Sequence, residues 1–165
     1  TAARKATCEL QWFPPQAIAN ICWAVFRLAR ASEIPEVSMF AAAVAVQAEA
    51  NMAAFEWQDL AGVVMAMARA DVRMPQVLQF ATSLVRYATN VPCGSIGTQA
   101  LLNMALAAVR LGVPRGELRA LAESMDALFT QGLGGARRLN DIDYRQWCEV
   151  RSHCRFRSSW ATVAE

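Results

Sequence analysis

Four stretches of this chain share one apolar pattern and recur at nearly constant intervals. They read FPPQAIANICWAVFRLA from Phe13, FEWQDLAGVVMAMARAD from Phe55, IGTQALLNMALAAVRLG from Ile96 and LNDIDYRQWCEVRSHCR from Leu139. Their starts lie 42, 41 and 43 residues apart, and the fourth copy is degenerate. Because one helical repeat cannot bury its apolar face alone, such repeats stack around one continuous core. The pattern predicts an all-α fold, an α-solenoid of about three and a half helix-turn-helix repeats with a period of about 41 residues.

Each repeat is predicted to hold two helices, which we call A and B. In helix A, apolar residues follow the first glutamine at helical spacing and form one stripe. Helix B begins near Pro35, Pro75 and Pro114, since the missing N–H of proline has no partner at a helix start. Runs that alternate with a period of two are not convincing anywhere, so strands are not expected.

These intervals also divide the chain. The length of 165 residues suits one domain. We expect an N-terminal extension over 1–12, a repeat domain over 13–136 with repeats 13–54, 55–95 and 96–136, and a final segment over 137–165.

The composition agrees with closely packed helices. Hydrophobic residues make up 55 % of the chain, charged residues 18 %, and alanine occurs 32 times, which excludes a disordered chain. The best apolar run, over 39–46, is far shorter than the roughly 20 residues of a membrane-spanning helix. We therefore expect no transmembrane span. Phe26, Phe40, Met52, Phe80, Met125 and Phe129 are predicted core residues, and Trp12 and Trp57 are expected to pack at helix starts.

Polar residues recur on helix A opposite the apolar stripe. We call this set the A-helix ridge: Gln16, Asn20, Trp23, Arg27, Gln58, Arg69, Gln99, Asn103 and Arg110. Met65 and Leu106 stand at the position of Trp23 and are expected on the same ridge. The ridge either forms a binding surface or serves the scaffold, since amides can bond between helices and arginines favour a helix C-terminus.

The chain after Gly135 is rich in arginine and aromatic residues. We call the following set the basic-aromatic tail: Arg137, Arg138, Arg145, Trp147, Arg151, Arg155 and Arg157. Arginines and aromatic rings together bind the RNA backbone and stack on bases. The alternative is a capping helix with a solvated face, because terminal repeats are usually atypical.

The segment PPQAIANICWAVFRL resembles the first helix of the octotricopeptide and heptatricopeptide repeats, which are related to helices of FAST-kinase-like proteins. The matching residues are Gln16, Ile18, Ala19, Asn20, Trp23, Ala24 and Leu28. In the second copy Gly62 and Met65 stand in place of the asparagine and the tryptophan. The resemblance implies an organellar protein, of a mitochondrion or plastid, that binds RNA with residues of its A helices.

Residues for catalysis or metal binding are not evident. Cys148, His153 and Cys154 lack the spacing and the fourth ligand of a zinc site. The expectation is a non-enzymatic protein without cofactor, metal or small-molecule substrate.

Two functions remain open. The first is an organellar adaptor that binds ribosomal or messenger RNA within a larger ribonucleoprotein. The second is a structural accessory subunit of a large organellar protein complex, such as a ribosome, a respiratory complex or a photosynthetic complex. RNA binding predicts that Arg27, Arg69 and Arg110 face solvent together with the tail arginines. A scaffold predicts ion-paired or dispersed arginines and an apolar patch elsewhere.

Overall fold

The computed structural model describes residues 9–28, 35–131 and 139–154. Within these ranges the chain is all-α, as predicted, and contains seven α-helices and no strand. The helices are α1 (Pro15–Leu28), α2 (Pro35–Ala50), α3 (Trp57–Arg69), α4 (Pro75–Thr89), α5 (Thr98–Leu111), α6 (Arg115–Gln131) and α7 (Asp141–Cys154).

A short 3₁₀ turn precedes each of α1, α3 and α5. In each turn the next residue is extended and donates its N–H to the carbonyl of the first turn residue. Phe55 and Ile96 are buried at this position, and Phe13 packs partly buried against the core. The turn therefore places an apolar side chain beneath the start of each of these helices. The three turns are Leu10–Trp12, Met52–Ala54 and Cys93–Ser95.

Helices α3 and α5 end in the same way. Asp71 and Gly112 have positive φ angles of 53° and 84°, a conformation that glycine adopts freely and aspartate tolerates. The N–H of Val72 then bonds the carbonyl of Met67 at 3.1 Å, and the N–H of Val113 bonds that of Ala108 at 2.9 Å. These six-residue closures satisfy carbonyls of the last helical turn. Both valines are buried, so an apolar side chain also fixes the exit from each helix.

The helices contact one another in two rows. In one row α1 contacts α3, α3 contacts α5, and α5 contacts α7. In the other row α2 contacts α4, and α4 contacts α6. Contacts between α5 and α4 and between α7 and α6 join the rows.

The core lies along these contacts. Of the predicted core residues Phe26, Phe40, Phe80, Met125 and Phe129 are buried, which confirms them. Met52 is only partly buried against the core.

The two tryptophans at helix starts differ. Trp57 stacks on Tyr87 with ring centroids 5.0 Å apart, so its predicted packing is confirmed. Trp12 is 79 % exposed, and its predicted packing is wrong. It ends the 3₁₀ turn before α1, where the core residue is Leu10 instead.

Polar side chains join the second row. The Glu49 carboxylate accepts hydrogen bonds from Gln79 Nε2 at 3.1 and 3.2 Å and from the Ser83 hydroxyl at 2.7 Å. Arg86 Nε donates to Glu117 at 2.9 Å, and this hydrogen bond holds the pKa of the Glu117 carboxyl below its usual value. Such exposed pairs contribute little stability, so burial of apolar surface dominates the packing between helices.

Among the described residues, none of the helices has both the length and the apolar character that crossing a bilayer requires.

A substitution of Leu101 tests how α5 packs in the first row. Its side chain is fully buried in α5, so Leu101→Ala should lower the free energy of unfolding by about 2–5 kcal/mol through lost burial and a residual cavity. Denaturant titration followed by circular dichroism measures this change. Leu78→Ala is the matched control, because Leu78 is 39 % exposed on α4 and its truncation should cost much less. Equal effects of the two substitutions would contradict this register of α5.

Candidate functional site

The A-helix ridge is largely accessible. Its residues are exposed except Asn103, which is half-buried and accepts a hydrogen bond from Gln99 Nε2 at 3.2 Å. The structure brings together the ridge residues near the ends of helices α1, α3 and α5. These residues are Trp23, Arg27, Arg69 and Arg110.

Trp23 lies beside two guanidinium groups. Its ring is 5.8 Å from the guanidinium carbon of Arg27, one turn later on α1, and 5.6 Å from that of Arg69 on α3. Both distances are within the range of cation–π attraction. The Trp23 side chain nevertheless stays 45 % exposed. Within the described ranges, the ion pairs of the structure involve neither Arg27 nor Arg69, so their N–H donors face solvent.

A groove of about 390 Å³ opens at this cluster, and we call it the Trp23 groove. Phe26, Met65 and Ala66 line it together with Trp23 and the two arginines. Because Phe26, Met65 and Ala66 are buried, the groove has an apolar floor and a cationic, aromatic rim. Its volume falls within the roughly 300–1,000 Å³ of ligand pockets.

A second groove of about 260 Å³ continues the first along the row, and we call it the Glu149 groove. Met65 and Arg69 line both grooves. The remaining lining residues are Leu106, Arg110, Ile142, Arg145, Gln146 and Glu149.

Arg110 makes two contacts at this place. Its guanidinium pairs with Glu149 of α7, with Nε to Oε1 and Nη2 to Oε2 both at 3.3 Å. Its backbone carbonyl accepts a hydrogen bond from Arg73 Nη1 at 2.9 Å. Arg110 is therefore ion-paired, as a scaffold predicts, whereas Arg27 and Arg69 face solvent, as RNA binding predicts.

Two ridge predictions need correction. Met65 and Leu106 are buried and form groove floors rather than surface positions. The reason is that α3 and α5 each contact neighbours of the same row on both sides, whereas α1 contacts α3 alone in that row among the described residues. The side chain at the equivalent position of α1, Trp23, is therefore left accessible.

The prediction of Trp147 as an accessible residue of the basic-aromatic tail is wrong. Its ring is buried and meets Phe129 of α6 edge-on, with centroids 5.4 Å apart and planes at 81°. The tail from Asp141 to Cys154 is the helix α7, which packs on α5 and α6 and so matches the capping-helix alternative. Trp147 lies on the apolar face of α7 and packs this helix against Phe129 of α6.

The tail arginines that the structure describes differ in their exposure. Arg145 is exposed and lines the Glu149 groove. Arg151 is half-buried and attracts Asp126, although burial still raises the pKa of that carboxyl. Arg137, Arg138, Arg155 and Arg157 lie outside the described residues.

The sequence reasoning missed Glu149 and Ile142. Continuing the repeat alignment from Leu139 into the fourth copy places Ile142 at the position of Gln16 and Glu149 at the position of Trp23. The signal was thus present, but the degenerate fourth copy concealed it.

The positions of the possible metal ligands and of one buried thiol can be stated for the described helices. Across 9–28, 35–131 and 139–154, no three His, Cys, Asp or Glu side chains converge as ligands. Burial raises the pKa of the Cys22 thiol to about 12, which keeps it protonated and unreactive.

Comparisons of this chain with protein-family models, with curated proteins and with solved structures return no match. The resemblance to octotricopeptide repeats therefore stays a prediction.

The contact between Arg110 and Glu149 should be weak. Both side chains are partly solvated, with 41 % and 46 % of their surface exposed, and exposed pairs couple by roughly 0.2–1 kcal/mol. A double-mutant cycle with Arg110→Gln and Glu149→Gln, read by denaturant unfolding, should give a coupling free energy in this range. A coupling several times larger would show that the pair is a structural tie between α5 and α7, unavailable to a ligand.

Proposed function

We propose that this chain is a non-enzymatic helical-repeat adaptor that binds single-stranded RNA along the row of α1, α3, α5 and α7. The observation that carries the proposal is the exposed Trp23 ring beside the guanidinium groups of Arg27 and Arg69. In line with the sequence resemblance, we place the adaptor within a larger ribonucleoprotein of an organelle.

Three features support the repeat interpretation. The helices of the first row begin at residues 15, 57, 98 and 141, at intervals of 42, 41 and 43 residues. The 3₁₀ turns before the first three of them begin at residues 10, 52 and 93. The left-handed residues Asp71 and Gly112 are 41 residues apart. Local geometry as well as helix spacing therefore favours an α-solenoid with a period near 41.

The Trp23 groove suits a base of single-stranded RNA. Unpaired bases stack on aromatic side chains and on arginine planes, which is how proteins commonly bind single strands. Trp23 offers an aromatic face, and the guanidinium groups offer both a stacking plane and donors for phosphate oxygens. A base in a duplex would be unable to reach this surface without leaving its stack.

The distribution of arginines supports the same surface. The first 136 residues carry ten basic and ten acidic side chains, so the repeat region gains little from general attraction to phosphate. Arg27, Arg69 and Arg145 nevertheless line the two grooves, whereas Arg86 and Arg119 pair with glutamates in the other row. Moderate affinity from a local cationic strip suits an adaptor that acts beside other RNA contacts.

Trp23→Ala should weaken binding of a fluorescent single-stranded oligoribonucleotide by about 5- to 150-fold, because stacking contributes roughly 1–3 kcal/mol per base. Fluorescence anisotropy measures the dissociation constant. Trp12→Ala is the matched control, since Trp12 is a more exposed tryptophan of the same chain that lines neither groove. Equal affinities of the two variants would remove Trp23 from the RNA surface.

The salt dependence of binding tests the arginines. Arg27→Gln together with Arg69→Gln should lower the slope of log affinity against log salt by up to about 1.4, at roughly 0.7 per phosphate contact on a single strand. Arg86→Gln together with Arg119→Gln removes the same charge from the other row and should change the slope little. A slope that the groove variant leaves unchanged would mean that these arginines do not touch phosphate.

A second candidate function is that of a structural accessory subunit in a large organellar protein complex. The observation that favours it is the exposure of Met39 and Val46 on α2 and of Leu78 on α4, since exposed apolar surface often marks a protein interface. Purification of the native complex with and without ribonuclease separates the candidates. Stoichiometric protein partners that survive ribonuclease and are lost with Val46→Glu would favour the accessory subunit.

A further inference from the structure

We infer that the Glu149 groove is a guanine-selective base site next to the stacking position at Trp23. The inference rests on the proposed RNA binding, and it names the base that the second position takes.

A carboxylate at this place argues for a base rather than for phosphate alone. Arg69, Arg110 and Arg145 line the groove together with Glu149. A site made for the RNA backbone would gain nothing from a negative charge among its arginines, because carboxylate and phosphate repel each other. The oxygens of Glu149 can instead accept N–H donors of a base, and the three guanidinium groups compensate its charge.

Arg110 and Glu149 present a combined hydrogen-bonding edge. The guanidinium supplies donors in a fixed plane, and the carboxylate supplies two acceptor oxygens. Their contacts of 3.3 Å are longer than the roughly 2.7–3.2 Å of most N–H···O bonds. The side chains are also 41 % and 46 % exposed, so a ligand can reach both and share their hydrogen bonds.

Guanine matches this edge better than the other bases. Its Watson–Crick edge carries an amino group, a ring N–H and a carbonyl oxygen, in that order. Once the weak pair between Arg110 and Glu149 opens, the two N–H donors fit the two oxygens of Glu149, and the carbonyl oxygen can accept from the guanidinium of Arg110. Uracil has a single ring N–H, while adenine and cytosine have an amino group beside an unprotonated ring nitrogen, so none of them offers two adjacent donors.

The walls of the groove suit a flat ring. Leu106 and Met65 are buried in its floor, and Ile142 stands 66 % exposed at its side. The volume of about 260 Å³ is just below the range of roughly 300–1,000 Å³ for pockets that enclose whole small molecules. An apolar floor with one polar edge favours a base, with the sugar and phosphate left in solvent.

Arg69 connects the two positions. Its guanidinium carbon is 5.6 Å from the Trp23 ring, and the side chain also lines the Glu149 groove. A phosphate that joins two successive nucleotides would lie between the grooves, where Arg69 can donate to it. The structure thus supports a stacked base of any type at Trp23 followed by a guanine at Glu149.

The test compares three short oligouridines that are uniform, carry a single guanosine, or carry a single inosine at the same place. The protein should bind the guanosine oligomer about tenfold more tightly than the uniform one, which is within the discrimination of a bidentate pair. Inosine lacks the amino group and should lose most of that preference. Glu149→Gln should abolish the preference, so that the guanosine oligomer and the uniform oligomer bind the variant with the same dissociation constant.

Glu123→Gln is the matched control. Glu123 is 49 % exposed and pairs with Arg119 on α6, so the variant loses the same charge without touching the groove and should keep the guanosine preference. Thermal unfolding of both variants checks that they remain folded. Binding without a guanosine preference, or a preference that survives Glu149→Gln, would overturn this inference while Trp23-dependent binding stands. If none of the oligomers binds, the proposed RNA function fails as well, and the accessory-subunit function is favoured.

Discussion

The burial of α3 against α1 on one side and α5 on the other is the contact on which the rest of the structure depends. Leu60, Val63, Val64 and Met67 of α3 are fully buried, and each buried aliphatic side chain contributes on the order of 1.5–3 kcal/mol through removal from water. This packing fixes the lateral spacing of the first row. Only because α1 and α3 pack this closely does Arg69 of one helix reach the Trp23 ring of the other.

The grooves follow from a difference between the two sides of each helix in the first row. One side is apolar and packs into a common core. The other side of α1, α3 and α5 carries an arginine in the last turn of the helix. A cation there interacts favourably with the helix dipole, so scaffold stability and ligand binding place the same residue type at the same position. The arginine positions alone therefore do not distinguish the two functions, and the aromatic ring and the carboxylate beside them carry the distinction.

The sequence predicted most of the helices because the signals for them are local. Apolar spacing placed the A helices, and prolines marked the starts of α2 and α4 to the residue. The errors concern Met65, Leu106 and Trp147, whose exposure depends on how many neighbours flank their helix. Helical spacing shows on which side of the helix a side chain lies. It does not show whether another helix covers that side. Glu149 was missed because the degenerate fourth copy hides its match to the Trp23 position, and its contact with Arg110 forms only where α7 lies against α5.

The matched endings of α3 and α5 restrict how such a chain can vary. Asp71 follows Gln58 by 13 residues, and Gly112 follows Gln99 by the same number. Inserting or deleting one residue inside either helix would turn its exit by about 100° and swing the buried valine of the closure out of the core. The length of these helices is therefore fixed by geometry, and we expect changes of length to be tolerated better in the connections between helices than within α3 and α5.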